Sequence, residues 1–355
     1  MMNYIAHPSV LVPSGYAFDG RLADLSALLA HAILCKTVAF RREQPCCWIR
    51  FGSAELRRTV GGNYSDVLNL LDGRLIERDH SFSIGKRSKR LRLLRTYRRG
   101  GWCAYRLSRR RRVPSDVKAA DDVSRWLVSH FDRFILPPSP FKWNSWIEYS
   151  AHRIRTKRYY AMRCRHGRFH SCFTSLKREL RATLLVDGQD DSVEIDVANA
   201  QPLLLAILAR DAGYVDPEFL DLCERGEIYE HLQFRTGWSR SPTKKAFLVM
   251  LFDRVHPSEF WDMFRREFPA VAEFTVETKR PDHWRLAHLC QWRESELMID
   301  GVCKVAMQTL PDVPLLTVHD SIVCSAKHES SIREIMATEF HKQGVKATIP
   351  QKEKV

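Results

Sequence analysis

Residues 314–324 read Pro314-Leu-Leu-Thr-Val-His-Asp-Ser-Ile-Val-Cys324. Two apolar runs of β-forming residues flank the central His319-Asp320-Ser321, and the interval between them has room only for a tight turn. The stretch therefore predicts a β-hairpin that presents Asp320 at its tip. Asp and Ser are also ordinary turn residues, so this stretch by itself does not separate a functional carboxylate from a structural one.

A second carboxylate stands at the end of the strand-like stretch Val193-Glu-Ile-Asp196. Pro202, which suits the first turn of a helix, and an apolar run follow it. An Asp in this place could simply cap that helix. Two carboxylates at the ends of neighbouring strands, however, supply the oxygen ligands that a pair of Mg²⁺ ions requires. We therefore hypothesise that Asp196 and Asp320 lie together and bind metal.

Between the two acids lies Arg240-Ser-Pro-Thr-Lys-Lys-Ala-Phe-Leu-Val-Met-Leu-Phe252. On a helix, Arg240, Lys244, Leu248 and Phe252 are four residues apart and share one face. Such a face offers two cations for a triphosphate and then an apolar surface for a base. The alternative is an ordinary surface helix with a stripe of side chains at this spacing.

The charge of this chain is concentrated in one segment. Its 355 residues carry 56 Lys and Arg against 42 Asp and Glu, a formal charge of +14. Residues 86–112 contain 13 of the basic side chains and no acidic one, so the rest of the chain is almost neutral. A charge run is often only a solvated face, but so dense a patch repels itself unless a polyanion is present. Nucleic acid is therefore the expected partner of this segment.

The segments around the basic run predict a small nucleic-acid-binding domain over residues 20–112. Apolar spacing predicts a helix over 22–40. A second helix starts at Ser53 as its cap and a third starts at Asn63; short strands over 75–79, 81–85 and 90–94 follow. This order is typical of a winged helix, whose basic wing would lie along phosphates. The alternative is a plain structural domain. The residues expected on the nucleic-acid backbone are Lys86, Arg87, Lys89, Arg90, Arg109, Arg110, Arg111 and Arg112.

Residues 113–144 predict a helix over 115–131 and a Pro-rich linker, and residues 145–355 predict the domain that holds the chemistry. The ten Cys are scattered without a C-x-x-C pair, which favours a reducing, cytoplasmic location over a disulfide scaffold. The first twenty residues lack the order of a signal peptide, and no apolar run approaches the length of a membrane span. We expect no membrane partner.

Four segments, in order, resemble the polymerase domain of family A DNA polymerases and the related single-subunit phage-type RNA polymerases. His166-Gly-Arg-Phe-His-Ser is similar to the T-G-R-L-S-S segment of that family; Asp196 stands where motif A has its metal-binding Asp. Arg240-x3-Lys244-x7-Phe252 is similar to motif B, and His319-Asp320-Ser321 to motif C. The resemblance covers about residues 160–345. It implies an α+β chain: the winged-helix-like domain, then an antiparallel palm sheet with helices and a short helical fingers insertion.

The resemblance also implies roles for individual residues. Asp196, the Val197 carbonyl and Asp320 would hold two Mg²⁺ ions, or Mn²⁺ in their place. The incoming nucleotide would be bound by Arg240, Lys244, Leu248, Phe252 and Gln201, and the primer–template by Arg168, Gln291 and His319. Helices over 291–307 and 329–340 are expected on either side of the hairpin.

Three departures bear on the choice of sugar. Gln201 stands where the DNA polymerases have a Glu that excludes ribonucleotides, Phe252 replaces the usual Tyr, and Ser321 resembles the RNA polymerases. The expected function is a compact DNA-directed DNA polymerase that uses dNTPs in the replication of a phage, plasmid or mobile element. An RNA polymerase or primase using rNTPs, or acting on an RNA template, is the first alternative. A non-catalytic DNA-binding replication initiator with a decayed palm is the second.

Overall fold

A computed structural model describes residues 4–39, 48–79, 89–98, 102–114, 117–138 and 145–351. The chain divides into two compact units, one made of residues 1–116 and 140–152 and the other of residues 117–139 and 153–355. Both are mixtures of helices with small sheets of two or three strands. The prediction of an α+β chain is confirmed at this level.

The first unit is built from short elements around one long helix. In chain order they are β1 (Tyr4–Pro13), α1 (Ala23–Ala39), β2 (Ile49–Phe51), α2 (Ser53–Val60), α3 (Tyr64–Leu71), β3 (Ile76–Arg78), β4 (Lys89–Leu93), α4 (Arg95–Arg98) and β5 (Trp102–Pro114). Strands β2, β4 and β3 form one antiparallel sheet in that order, and β1 pairs with β5. The core lies where Leu29 and Ile33 of α1, both fully buried, meet Phe51 and Leu71.

The three predicted helices and two of the three predicted strands of the first unit are present. Gly52, rather than Ser53, precedes the first turn of α2, and no side chain caps that turn, so the predicted Ser53 cap is wrong. The predicted strand over 81–85 lies outside the described residues. Strands β1, β2 and β5 and the short helix α4 were not predicted. In β5 the arginine-rich sequence lacks the alternation of apolar and polar residues by which strands are recognised.

The second unit is mainly helical. Its elements are β6 (Val117–Lys118), α5 (Asp122–Ser129), β7 (Phe134–Ile135), α6 (Ser145–Arg155, which crosses the unit boundary), β8 (Ala161–Arg163), β9 (Phe169–Ser171), α7 (Arg178–Arg181), β10 (Leu185–Val186), β11 (Ser192–Asp196), α8 (Ala200–Asp211), α9 (Pro217–Glu224), α10 (Ile228–Thr236), α11 (Arg240–Phe252), α12 (Glu259–Glu267), α13 (Pro269–Lys279), α14 (Arg285–Ser295), a π-helix (Glu296–Cys303), α15 (Lys304–Thr309), β12 (Leu316–Val318), β13 (Ser321–Ser325) and α16 (Glu329–Lys342).

The helix predicted over 115–131 is shorter in the structure. It begins at Asp122 because the Asp121 carboxylate accepts a hydrogen bond from the Ser124 backbone N–H at 2.8 Å and so caps the first turn. Before it, Val117–Lys118 pairs as a strand with β8. The helices predicted near 200, 240–252 and 329–340 are present as α8, α11 and α16.

A three-stranded antiparallel sheet, in the order β11-β13-β12, organises the second unit. Every residue of β13 is buried, and α8, α14 and α16 supply further core residues such as Leu203, Leu286 and Met336, all fully buried. None of the helices in the described ranges combines the length and apolar character needed to cross a membrane. The eight cysteines among the described residues form no disulfide.

Candidate active site

The antiparallel register brings the two predicted aspartates to one edge of the sheet. Asp196, the last residue of β11, lies directly opposite Ser321, the first residue of β13. Asp320 precedes Ser321 in the two-residue loop between β12 and β13, as the hairpin prediction required. His319, the first loop residue, has a left-handed backbone with φ of 58°. Two-residue hairpin loops favour a positive φ at this position because it matches the twist of the strands.

The Asp320 carboxyl lies in an unfavourable environment for a negative charge. Burial raises its pKa, and the charges of Glu294 and Asp196 raise it further, to about 6. Arg168 opposes these effects only in part. The charges of two carboxylates therefore act on Asp320, and a divalent cation held by Asp196 and Asp320 would offset this repulsion. The donor set, two carboxylates beside the backbone of Val197, suits Mg²⁺ or Mn²⁺.

Glu294 is the main residue of the site that the sequence analysis missed. It lies on α14, its side chain is only 2% exposed, and it receives two parallel hydrogen bonds from Arg168, from Nε at 2.7 Å and from Nη2 at 2.6 Å. The Gln201 amide Nε2 donates a further bond to it at 2.9 Å. Gln291, the predicted primer–template residue, lies three residues earlier and is partly exposed. One signal for Glu294 was present in the sequence: it follows the apolar residues Leu286 and Cys290 at intervals of four, which places it on the buried face of α14.

Gly167 allows Arg168 to reach Glu294. Its backbone has φ of +81°, and a Cβ on it would lie 2.8 Å from the Ser295 Cβ, well inside van der Waals contact. A residue with a side chain would therefore push the loop away from α14. Within the described ranges, the hydrogen bonds of Arg168 run from Nε and Nη2 to Glu294, which leaves the two N–H groups of Nη1 for a ligand. The predicted contact of Arg168 with a primer–template requires these groups.

A second ionic contact supports the strand that carries Asp196. Arg181 donates to both carboxylate oxygens of Glu194, at 3.3 and 2.9 Å. The Ser321 hydroxyl lies 3.1 Å from Glu194 Oε1 and 3.0 Å from the Val318 carbonyl, either of which can accept its proton. Ser321 therefore ties the hairpin to the neighbouring strand, which is a structural reason for a hydroxyl at this position.

Helix α11 presents the predicted nucleotide face to solvent. Thr243, Phe247 and Leu251 are fully buried, whereas Arg240 and Lys244, which lie at the margin of this buried stripe, are exposed. The Arg240 guanidinium forms an ion pair with Glu230 and lies 5.7 Å from the centre of the Tyr229 ring. The Lys244 ammonium lies 6.0 Å from the same ring centre. Both cations are thus held near Tyr229 without being buried.

The apolar half of this face ends in a shallow depression. Phe252 is 37% exposed, and Leu248, which is partly exposed, lies one turn before it. Together with Lys244 and Lys245 they line the depression. Helix α11 packs against α14, the helix that carries Glu294, so the cationic face and the carboxylate cluster belong to one packed structure.

The structure describes only part of the predicted nucleic-acid backbone contacts. Lys86 and Arg87 lie outside the described residues, as do the side chains of Arg109, Arg110, Arg111 and Arg112, although the backbone of these four arginines belongs to β5. Lys89 lies 3.4 Å from the Ser53 hydroxyl and 5.3 Å from the centre of the Tyr64 ring.

The basic run is partly neutralised by the strand beside it. Arg90 forms an ion pair with Asp79, and Arg92 donates to Glu77 at 2.6 Å. The run itself contains no acid, but antiparallel pairing of β3 with β4 brings these two acids to it. The charge that remains for a polyanion is therefore lower than the sequence count suggests.

One group of three His, Cys, Asp or Glu side chains with closely spaced ligand atoms occurs among the described residues, and it includes neither of the two predicted aspartates. Glu218, His231 and Glu267 have ligand atoms within 4.8 Å of one another, and none of them belongs to the predicted site. Arg235 already pairs with Glu267 at 2.7 Å, and His231 lies 2.9 Å from the same carboxylate. We therefore interpret these side chains as an ionic network in which Glu267 pairs with Arg235 and His231.

The carboxylates can position a divalent cation, and the cations of α11 can bind a polyphosphate. A buried ion pair with Arg168 fixes the carboxylate of Glu294, whose charge raises the pKa of Asp320. Comparison of the chain with protein-family models, with curated proteins and with solved structures found no match.

Proposed function

We propose that this protein is a template-directed nucleotidyltransferase, a compact DNA polymerase that joins dNTPs to a primer. One observation carries the proposal: Asp196 ends β11 beside the hairpin loop that holds Asp320, and burial together with the charges of Glu294 and Asp196 raises the pKa of Asp320 to about 6. Such an environment is costly to keep unless a bound cation uses it. The resemblance of the surrounding segments to family A polymerases supports the same assignment.

In the proposed reaction each group of the chain has a limited task. Asp196 and Asp320 would hold Mg²⁺, which activates the attacking 3′-hydroxyl and stabilises charge on the leaving pyrophosphate. Lys244 and Arg240 would bind the triphosphate, and Arg240 would exchange its ion pair with Glu230 for it. Phe252 and Leu248 would support the base. The free Nη1 of Arg168 would donate hydrogen bonds to the primer–template.

The first unit is proposed to bind the nucleic acid through a winged-helix-like arrangement. Support comes from its element order, with α1, β2, α2, α3, β3 and β4 in succession, and from the sheet order β2-β4-β3. The exposed residues of α3 include Ser65, Asp66 and Asn69 but no Lys or Arg. Attraction to phosphates would therefore come from the basic strands, which position a protein without reading sequence.

An RNA polymerase or primase is the second candidate, and Gln201 favours it. The Gln201 amide donates from Nε2 to Glu294, and this bond orients the side chain. The Gln201 amide oxygen is then a neutral hydrogen-bond acceptor, whereas a Glu at position 201 would be repelled by Glu294. Among the described groups this buried oxygen has no hydrogen-bond partner, so it could accept a bond from a sugar hydroxyl. Ser321 carries less weight here, since its hydroxyl already bonds within the hairpin.

One assay separates these candidates. Purified protein is incubated with Mg²⁺ and a primed DNA or primed RNA template, with dNTPs or rNTPs supplied separately, and with Asp196→Ala as the control. Extension with dNTPs is expected, and it should be lost in the variant. Exclusive use of rNTPs would replace the DNA polymerase with an RNA polymerase. No extension under any condition, with DNA binding retained, would favour the replication initiator.

Lys244→Ala should lower kcat/KM for the incoming nucleotide by about 10- to 100-fold, chiefly through KM. The variant removes a charged hydrogen-bond donor worth about 1.5–3 kcal/mol. Because Lys244 is exposed, unfolding in urea should be unchanged. Arg265→Ala is the control, since Arg265 is an exposed cation on α12 and does not line the depression. An equal loss in both variants would contradict the specific role of Lys244.

Replacing Arg109 to Arg112 with Gln should weaken DNA binding equally for all sequences. Each lost phosphate contact should also reduce the slope of log K against log salt concentration by about 0.9 for duplex DNA. Filter binding or fluorescence anisotropy at several salt concentrations measures both quantities. An unchanged slope would mean that these arginines do not touch the backbone.

A further inference from the structure

A cation-rich cavity of about 380 Å³ lies where α11 ends and α13 ends. Four basic residues line it together with one acid, Asp282, and three apolar residues. The basic residues are Arg254, Lys279, Arg280 and His283, and the apolar ones are Val255, Val276 and Pro281. No part of the proposed reaction uses this cavity.

Lys279 is the unusual member of this group. It is only 8% exposed, and its ammonium donates to the carbonyl oxygens of Met250, at 2.6 Å, and of Asp253. These bonds cap the end of α11 and explain the position of the side chain, but they do not neutralise its charge. Among the described residues no carboxylate lies within 4.0 Å of it, and burial lowers its pKa to about 8 despite the opposing effect of Asp253. A buried ammonium that uses two of its three donors favours an anion in the cavity.

The other cations of the cavity are also available. Arg254 and Arg280 are exposed; Arg280 has one distant acid, Glu277 at 3.9 Å, and no ion pair of Arg254 occurs within the described part of the chain. Guanidinium groups bind phosphate through two parallel hydrogen bonds, so these side chains suit a phosphate group.

Exposed aromatic side chains continue from the cavity along α14. Trp284 follows His283 directly; it is 44% exposed, and its ring centre lies 4.6 Å from that of His288. His288 in turn stacks on His166 with ring centres 3.8 Å apart. Burial lowers the pKa of both histidines, which favours the neutral rings that can stack. Trp292, 51% exposed, lies two turns further on the same helix.

We propose that the cavity and this aromatic row together form a binding surface for single-stranded nucleic acid. A backbone phosphate occupies the cavity beside Lys279 and Arg254, and an unpaired base stacks on Trp284. A cationic pocket followed by exposed aromatic rings is the combination by which proteins hold single strands, because only unpaired bases expose their faces. The inference does not depend on catalysis, since a chain that binds DNA without extending it would keep this surface.

The test is equilibrium binding of a fluorescent oligodeoxythymidylate to the full chain in EDTA, followed by anisotropy. Trp284→Ala should weaken binding by about tenfold, the value of one stacked base. Arg254→Ala should reduce the salt slope by about 0.7, the value of one phosphate contact on a single strand. Lys279→Met tests the cavity directly. If this variant does not fold, Trp284→Ala and Arg254→Ala, which change exposed residues, still test the proposal. Binding of a duplex of equal length should change by less than twofold in all of them.

Two controls on the same unit make the result specific. Phe234→Ala removes an aromatic ring that is 83% exposed on α10, and Arg265→Ala removes an exposed cation on α12. Neither should alter single-strand binding. Equal losses in the controls, equal losses for duplex and single strand, or no loss with Trp284→Ala and Arg254→Ala would each overturn the proposal. Loss of extension activity in the Asp196→Ala variant has no bearing on this outcome.

Discussion

Asp320→Asn should abolish nucleotide transfer and, at the same time, make the metal-free protein more stable at neutral pH. Loss of a metal-binding carboxylate removes several kcal/mol of transition-state stabilisation, so activity should fall by about a thousandfold or more. The gain in stability has a separate cause. Burial and the charges of Glu294 and Asp196 make the negative form of Asp320 unfavourable in the folded chain, and a neutral Asn does not carry this cost.

The sign of the pH dependence follows from the proton balance. The pKa of Asp320 is about 6 in the folded chain and 3.8 for an ordinary Asp, so between these values the folded state holds a proton that the unfolded state has released. Folding stability therefore falls as the pH rises from about 4 to 6, by at most about 3 kcal/mol. Asp320→Asn should gain up to this amount at pH 7 and nothing at pH 4.

Urea unfolding in EDTA at pH 4 and pH 7 measures this difference. Asp262→Asn, an exposed carboxylate on α12, is the control and should change stability by less than about 0.5 kcal/mol at either pH. Mg²⁺ should raise the urea midpoint of the wild-type chain, because it binds the folded state, and should not raise that of Asp320→Asn. A variant that retains activity, or that is less stable than wild type at pH 7, would contradict the assignment of Asp320.

The β12–β13 hairpin and α11 could be predicted from sequence because each is determined locally. The two β-forming runs around His319-Asp320 define the strand pair, and the four-residue spacing from Arg240 to Phe252 defines one helix face. Glu294 could not be assigned in this way. Its importance depends on Arg168, which is 126 residues away in the chain, and on the close approach at Gly167. Such pairs arise from tertiary packing, which periodicity does not encode.

The contrast between local sequence pattern and tertiary pairing also accounts for the charge of the first unit. A count of residues 86–112 gives a strongly basic segment, but the pairing of β3 with β4 brings Glu77 to Arg92 and Asp79 to Arg90. Strands β3 and β4 were predicted, whereas β1, β2 and the arginine-rich β5 were not. Sequence alone therefore located the charge correctly and overstated how much of it is free.

Arg168→Met should be among the most destabilising single changes in the second unit, by about 3–5 kcal/mol. The substitution leaves Glu294, 2% exposed, without its cation and close enough to Asp320 for the two negative charges to interact. Breaking one partner of a buried ion pair leaves an uncompensated charge, and this cost exceeds the value of the pair itself. Because Arg168 also lowers the pKa of Asp320, its loss should raise that pKa further and extend the stability loss toward higher pH.

A double-mutant cycle distinguishes a structural ion pair from a catalytic one. The double variant Arg168→Met/Glu294→Met should recover most of the stability, because two apolar side chains of similar size replace the ion pair. Arg165→Met is the control: it changes an exposed arginine three residues earlier and should cost less than about 0.5 kcal/mol. If the Nη1 group of Arg168 binds the primer–template, the stable double variant should still extend primers poorly, with a raised KM for primed template and a normal KM for dNTP. Full activity in the double variant would mean that the Arg168–Glu294 ion pair has only a structural role, which is to hold α14 against the loop at Gly167. Failure to recover stability would mean that Gln201, whose amide donates to Glu294, requires the carboxylate as well.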